Sequence, residues 1–548
     1  MIKTKKSIYF FTVAVQIFFL CLSLIKSYSP IPTNDMWDSY LGFMDKLSVG
    51  QFSAWWDQHN EHRIFLARLF FWADITWFHG SGIFLIFSNI FALASTTFML
   101  LWWSRALLKT GYEKNLDHFL IYSWITIACT SWIQHENLSW GFQIQFILAQ
   151  LIPLISFYLM SVYSENSKYW RFLYLSYLGG AMSLLTMGNG VLVLPLLLIQ
   201  MFFLNLPPRL IVFFGLASLP PLLLYFIDYH AIAGHDSIVR VLRENPLGLL
   251  EYIVVYFGGP MNYLIHFGKM KILACAAFGS LFILLSLFKL SRLFWSKLSP
   301  LYIGLLVYLG YLIVSAIGTG GGRLKFGIDQ ALSSRYQTPV LFAWVALALI
   351  YLPEMAKVKR KCFLLFPMAL LVFLFLSYNI RKSGHADSNH TAKELAMVAL
   401  NVGVFDRDVL LNVYPFTESL FERFSKTSSP TFSKLGGYLP KGMYLDTLNR
   451  PNNLEHQCKL PLNDFKSERV DLNSFSISAE IDTSVAEYIN ASYFLALNDG
   501  QFVGAITQVQ DDTSIFRRAT NRYHGYIKVS DSDALNHLSW LCTAPNLN

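Results

Sequence analysis

Apolar residues along this chain come in long blocks separated by short polar bridges, and the blocks stop near residue 380. Eleven blocks stand out, at about 8–25, 83–103, 119–133, 143–162, 172–187, 191–204, 210–227, 271–288, 301–317, 338–353 and 362–379. Each is read as a helix crossing a hydrocarbon core of roughly 30 Å, because lipid offers the backbone no other hydrogen-bond partners. An odd number of crossings puts the two termini on opposite sides. A further apolar stretch, 247–256, is too short to span and runs into Gly258-Gly259-Pro260, so it is predicted to be a re-entrant or interfacial helix.

Beyond residue 381 the pattern changes to that of a water-soluble module. Leu395, Val398, Ala399 and Val402 recur at helical spacing within 391–404, and 409–414 reads as a short apolar strand. Residues 475–479 alternate, and the runs 493–497 and 502–506 flank Asn498-Asp499-Gly500, a hairpin signal. The predicted fold is therefore an α-helical polytopic membrane protein. Its transmembrane domain, 1–380, carries a large first external loop, 26–82, and is followed by an extracytoplasmic α/β or β-rich domain, 381–548.

Composition agrees with that division: of 548 residues, 54% are hydrophobic and only 14% charged. The first block follows Lys3, Lys5 and Lys6 like a signal peptide, yet it is long and no small-residue cleavage site succeeds it, so it is read as a retained anchor. Lysine and arginine cluster in alternate bridges, which places those bridges and the N-terminus in the cytoplasm. The loop 26–82, the loop around Glu136, the stretch 228–271, the glycine-rich loop near Arg323 and the tail then face outward. The net charge of +8 reports this topology and gives no reason to expect nucleic acid as a partner. Cys21, Cys129, Cys275 and Cys362 sit in or at apolar blocks and read as small buried hydrophobes. Cys458 and Cys542 fall in the exported tail, an oxidising place, and are expected to form a disulfide.

Candidate chemistry gathers in the outward loops. Asp35 and Asp38, three apart around Trp37, can share one side of a turn at the membrane edge, where a fixed carboxylate can act as general base; two solvated acids are the plainer alternative. Downstream, His59-Asn60-Glu61-His62-Arg63 lacks the His-Glu-x-x-His spacing of a zinc site, and Arg63 with Arg68 would repel a cation, so no bound metal is expected. Anion recognition fits better, with His62 and Arg63 facing a phosphate and Glu61 holding them in place. In the second loop Glu136, Asn137 and Trp140 suit sugar hydroxyls and ring faces, as does Trp37 in the first. Gln143 and Gln145, deeper, serve either a ligand or helix-to-helix contact. The run 318–325 has no P-loop ending. Its backbone amides, with Arg323, Arg335 and neighbouring Tyr336, are read as a cradle for one lipid phosphate, against the alternative of arginines snorkelling to headgroups.

Asp35 with Asp38, His59 through Arg63, Glu136-Asn137 with Trp140-Gly141-Phe142-Gln143-Ile144-Gln145, and Ser334-Arg335-Tyr336 together resemble the GT-C superfamily of integral membrane glycosyltransferases. Within it, the likeness is to bacterial and phage O-antigen-modifying, serotype-converting glucosyltransferases, and it covers roughly the first 380 residues. The resemblance implies an inverting transfer of a single sugar, glucose, from a polyprenyl-phosphate donor to lipopolysaccharide O-antigen or a related glycan acceptor on the periplasmic face of the bacterial inner membrane. It assigns the base to Asp35 or Asp38 and the leaving phosphate to Arg63, Arg323 and Arg335. There is no adjacent Asp-x-Asp, which leaves open which acid acts and whether a divalent ion, Mg or Mn, assists. The rival classes are a transporter or flippase of lipid-linked glycans and an O-antigen ligase or polymerase. Against a transporter, the break Met187-Gly188-Asn189-Gly190 reads as a tight external turn with no counterpart in the other half.

Overall fold

The computed structural model describes residues 2–108, 118–230, 238–265, 268–355, 362–383, 390–426, 456–458, 460, 465–481, 493–498, 501–511 and 518–542. The chain divides into two compact units. Met1–Leu24, Trp56–Leu69 and Leu85–Ser383 form the first; Ile25–Trp55, Phe70–Phe84 and Gly384–Asn548 form the second.

Sixteen α-helices precede residue 384 among the described residues: α1 (Ile2–Ser27), α2 (Gly42–Ser48), α3 (Phe65–Trp77), α4 (Ile83–Leu108), α5 (His118–Cys129), α6 (His135–Ser139), α7 (Ile144–Glu165), α8 (Trp170–Ser183), α9 (Val193–Phe203), α10 (Pro208–Phe226), α11 (Ile238–Glu244), α12 (Pro246–Leu264), α13 (Gly268–Trp295), α14 (Pro300–Arg323), α15 (Ser334–Met355) and α16 (Cys362–Ser383). Among the described residues, seven helical stretches are long and apolar enough to cross a membrane: Ser7–Ser27, Ile83–Leu108, Gly141–Glu165, Pro208–Phe226, Met270–Trp295, Pro300–Phe326 and Ser334–Met355. This is a helical polytopic membrane protein. The blocks at 119–133, 172–187 and 191–204 fold as α5, α8 and α9, with 12, 14 and 11 residues, short of the roughly 20 that a straight crossing needs.

Burial ranks the long helices. Protein covers 72% of the apolar window of α14 but 17% of that of α10. The first is a central helix and the second a peripheral one, whose Val212, Phe213, Leu216 and Leu223 are exposed as lipid-facing side chains should be.

Two readings of glycine are corrected. The stretch expected to stop at Gly258-Gly259-Pro260 is the 19-residue helix α12, which runs through all three to Leu264. The reason is packing: a Cβ on Gly258 would lie 1.9 Å from the Cys275 carbonyl oxygen, and one on Gly279 would lie 1.8 Å from that of Val254. These glycines bring the backbones of α12 and α13 together, the small-residue contact that membrane helices use in place of a hydrophobic drive. Likewise the expected loop at 318–323 is the end of α14. Its amides belong to a helix C-terminus, where carbonyls rather than N–H groups are left over, so the backbone cradle for phosphate is absent there.

The second unit carries a π-helical turn, Trp37–Leu41, and the short helix α2. Later, among the described residues, come α17 (His390–Val402), α18 (Arg407–Leu410), α19 (Thr417–Lys426) and seven strands: β1 (His456–Cys458), β2 (Lys466–Asp471), β3 (Ser474–Glu480), β4 (Tyr493–Asn498), β5 (Gln501–Asp511), β6 (Arg518–Lys528) and β7 (Ser539–Cys542). They form one sheet in the order β1-β7-β4-β5-β6-β3-β2, antiparallel throughout. The helix expected at 391–404 is α17, and it packs on β5 and β6. The alternation at 475–479 is β3, whose Phe475, Ile477 and Ala479 join Phe494, Ile506, Tyr523, Ile527 and Trp540 in the core. The predicted hairpin is β4–β5, with Asn498 opposite Gln501. The expected strand at 409–414 is instead α18 and a turn. Asp406 accepts a hydrogen bond from the Val409 N–H, an N-cap that starts a helix where an apolar run suggested extension. Register puts Cys542 opposite His456 and Cys458 opposite Trp540, on neighbouring strands; the side chains of the expected disulfide lie outside the described residues.

Candidate functional site

In the first unit the site is built on a tight hairpin. His59 and His62 exchange both backbone hydrogen bonds, 2.9 and 3.0 Å, and Asn60 between them takes a positive φ of 48°, which asparagine tolerates better than most residues. This turn presents Glu61. The hydroxyls of Tyr225 and Tyr229 donate to the Glu61 carbonyl at 3.3 and 3.2 Å, and the Gly188 N–H donates to His62 Nδ1 at 3.0 Å. That bond places the proton of the neutral His62 ring on Nε2. A Cβ on Gly188 would meet the Glu61 carbonyl and His62 Nδ1 at 3.0 Å each, so the glycine permits the approach. His59 packs edge-on to Phe142, and burial, then the neighbouring His62 and Arg68, lower its pKa to about 3, so it stays neutral at physiological pH.

Arg63 departs from its expected role. It is 2% exposed, and its guanidinium donates to the carbonyls of Tyr225 (2.8 Å), Trp56 (2.5 Å) and Ile227 while lying 5.1 Å from the Trp56 ring centre. The Tyr225 and Ile227 carbonyls are at the end of α10, where acceptors lack intrahelical donors. Arg63 caps that helix: three of its five N–H groups are committed to backbone carbonyls, and the side chain is not among those that line the cavity described next.

Arg323, at the last residue of α14, does reach the turn: its Nη2 lies 2.9 Å from Glu61 Oε1, and both side chains are about one-quarter to one-third exposed, 26% and 30%. The pair lines a cavity of about 470 Å³ with His62, Gln150, Asn189, Ser315, Thr319 and Tyr336, and with Phe146, Leu192, Val314, Ile317 and Pro339. One set of walls is charged or hydrogen-bonding and the other aliphatic or aromatic, so the cavity suits an amphiphile. Gln150 and Asn189 were missed in the sequence; for Gln150 the signal was an amide inside an apolar span, where a polar group is costly unless used, whereas Asn189 lies in the turn between two apolar blocks.

The second loop divides into structural and accessible groups. Asn137 is fully buried and donates at 2.7 Å to both the Arg335 carbonyl and Thr338 Oγ1, which makes it a tie between α6 and α15 rather than a sugar-facing group. Gln143 and Gln145 are 1% and 2% exposed, each with a buried amide oxygen lacking a partner. Trp140 is half-buried, its ring 5.4 Å from Phe142 and its indole N–H enclosed. Glu136 and Arg335 remain one-third exposed, 3.7 Å apart, and Ser333 Oγ bridges them by donating to Glu136 at 3.3 Å and accepting from Arg335 at 3.2 Å. Tyr336 faces the cavity, its ring 5.8 Å from the Arg335 guanidinium.

The second unit holds the two acids expected to supply the base. Asp38 lies on the π-helical turn, a feature common at functional sites. It accepts a 2.7 Å hydrogen bond from Tyr414 and sits 3.6 Å from Arg423, which also reaches Asp45 at 3.5 Å. Burial, then the Asp38 carboxylate, push the Tyr414 phenol above its ordinary pKa, so it remains a donor. Asp35 is half-buried, and its carbonyl accepts from the Ser39 N–H at 2.9 Å. Trp37 between them is wholly buried, a core residue rather than an open stacking face. Asp74 on α3 was also missed. It is fully buried, accepts from Tyr40 of the same π-helical turn at 2.6 Å and from the Gly82 N–H at 3.2 Å, and its Oδ1 has no partner; burial raises its pKa to about 6. No protein-family model, curated protein or solved structure matches this chain.

Proposed function

We propose that this protein is an inverting membrane glycosyltransferase, which takes one sugar, glucose, from a polyprenyl-phosphate donor and passes it to O-antigen or a related glycan. The observation that carries the reading is the 470 Å³ cavity, in which the Glu61–Arg323 pair, neutral amides and hydroxyls meet an aliphatic wall. A polyprenyl-linked sugar needs those three surfaces: a cation for the phosphate, hydrogen-bonding groups for the ring and an apolar face for the tail. Arg323 is the phosphate partner, Arg335 a second cation, and Arg63 a helix cap. The resemblance noted above gives Asp35 or Asp38 as the base that deprotonates the acceptor hydroxyl; the anomeric carbon then forms its new C–O bond as the bond to phosphate breaks.

The proposed topology has eleven crossings in the bacterial inner membrane, with the N-terminus cytoplasmic and the C-terminal module periplasmic. Outside that membrane nucleotide sugars are absent, which is why the donor must arrive in lipid. The test is to give purified protein either a sugar on polyprenyl monophosphate or a whole glycan on polyprenyl diphosphate. Transfer of the single sugar supports the reading. Transfer of the glycan makes the protein a ligase or polymerase, and movement of either lipid without transfer makes it a flippase. Asp35→Asn and Asp38→Asn variants that both transfer at the normal rate would end the assignment of the base.

A further inference from the structure

Gln150 lies on α7, 2% exposed, on the wall of the same cavity, and its Oε1 is buried without a hydrogen-bond partner. Asn189, half-buried and also lining the cavity, has a buried Oδ1 without a partner, while its Nδ2 donates to Ser315 Oγ at a long 3.4 Å. Folded proteins rarely leave buried amide oxygens bare, and in an apolar helix the cost is greater. Other buried amide oxygens are also bare, but these two line the cavity, where a ligand can reach them.

The chemistry of those donors is constrained. An amide oxygen accepts from O–H or N–H, and an ionised phosphate has neither, so a phosphate cannot satisfy it. A sugar hydroxyl can, and because it both donates and accepts it matches either end of each amide. Charge narrows the choice further. Among the described lining residues Arg323 is the one lysine or arginine, and it already faces Glu61 at 2.9 Å. With the donor phosphate added, an acidic sugar would bring a second negative charge with no further lysine or arginine among the described lining residues to meet it, since Arg335 already faces Glu136 at 3.7 Å.

We infer that Gln150, assisted by Asn189 and Ser315, reads the hydroxyls of a neutral sugar headgroup in this cavity and is a specificity-determining residue. The inference rests on the lipid-linked-sugar reading given above. It assigns recognition of the ring to α7 and the Gly188–Leu192 turn, apart from the phosphate contact at Arg323.

The experiment compares binding of two probes, polyprenyl monophosphate and its glucosyl derivative, to the full chain in lipid nanodiscs. The wild type is expected to bind the glucosyl lipid more tightly than the bare one. Gln150→Leu should lose about tenfold, the equivalent of about 1.4 kcal/mol, on the glucosyl lipid and nothing on the bare lipid. Equal loss on both lipids, or no loss on either, overturns the role of Gln150 and leaves the lipid-linked-sugar reading standing. Wild type that binds neither lipid overturns that reading too. Should Gln150→Leu fail to fold, wild type is titrated with single-deoxy glucosyl lipids: at least one is expected to bind about tenfold more weakly, and a series that all binds like the parent overturns the inference.

Discussion

Asp74 gives the sharpest quantitative prediction. Its carboxyl is fully buried, and a pKa of about 6 in the folded unit stands about two units above that of an exposed aspartate, taken as 3.8. At 1.36 kcal/mol per unit, the protonated form is favoured by folding by about 3 kcal/mol. The sign follows from proton counting: between about pH 4 and pH 6 the folded protein holds a proton that the unfolded chain has released, so stability falls as pH rises through that window and levels off above it. Asp74→Asn removes this titration while keeping an amide oxygen to accept from Tyr40. Measured by thermal unfolding in detergent, wild type minus variant should therefore shift against wild type by about 2 kcal/mol between pH 4.5 and pH 7.5, the rest of the change lying below pH 4.5. Taking the difference cancels the other carboxylates. A difference that is flat with pH, or that moves in favour of wild type as pH rises, refutes the burial of an uncompensated acid at this position. Because Tyr40 belongs to the same π-helical turn as Asp38, the protonation of Asp74 also bears on how firmly that turn is held.

The remaining predictions separate structural from functional groups. Arg63→Met strips partners from one buried and two partly buried carbonyls and should cost about 2–3 kcal/mol of stability, read by thermal unfolding; a stable variant with weakened donor binding would return Arg63 to the phosphate. Arg323→Gln breaks an ion pair of partial exposure, so its stability should change by less than ~1 kcal/mol while sugar transfer is lost; unchanged transfer removes Arg323 from the site. Gly258→Ala places a methyl 1.9 Å from the Cys275 carbonyl and should destabilise by about 1–3 kcal/mol through separation of α12 and α13; a neutral result would show that the two helices are not in close contact.

Helix positions were legible because lipid leaves the backbone no alternative, so apolar length alone marks them. What failed was the reading of glycine: at 258–259 and 318–322 the sequence looked like loop, and only the neighbour across the contact shows that a missing side chain there serves packing. Residues 409–414 failed for the opposite reason, since one capping bond from Asp406 outweighed a run of apolar residues. At the site, Glu61, His62, Arg323 and Tyr336 were picked out by type and do line one cavity. Arg63 was indistinguishable from Arg323 by sequence, because what separates them is whether helix carbonyls lie within reach. Gln150 and Asp74 stayed hidden inside apolar runs, where a single polar residue reads as tolerated until its burial and missing partners are seen.

The central claim is the handing on of one sugar from a lipid phosphate to a surface glycan. It is tested most directly by mass spectrometry of the O-antigen or equivalent glycan from cells with and without this protein. The expected result is a gain of one hexose per repeat unit, abolished by Arg323→Gln. A glycan of unchanged mass, or a change in chain length without an added hexose, would contradict it.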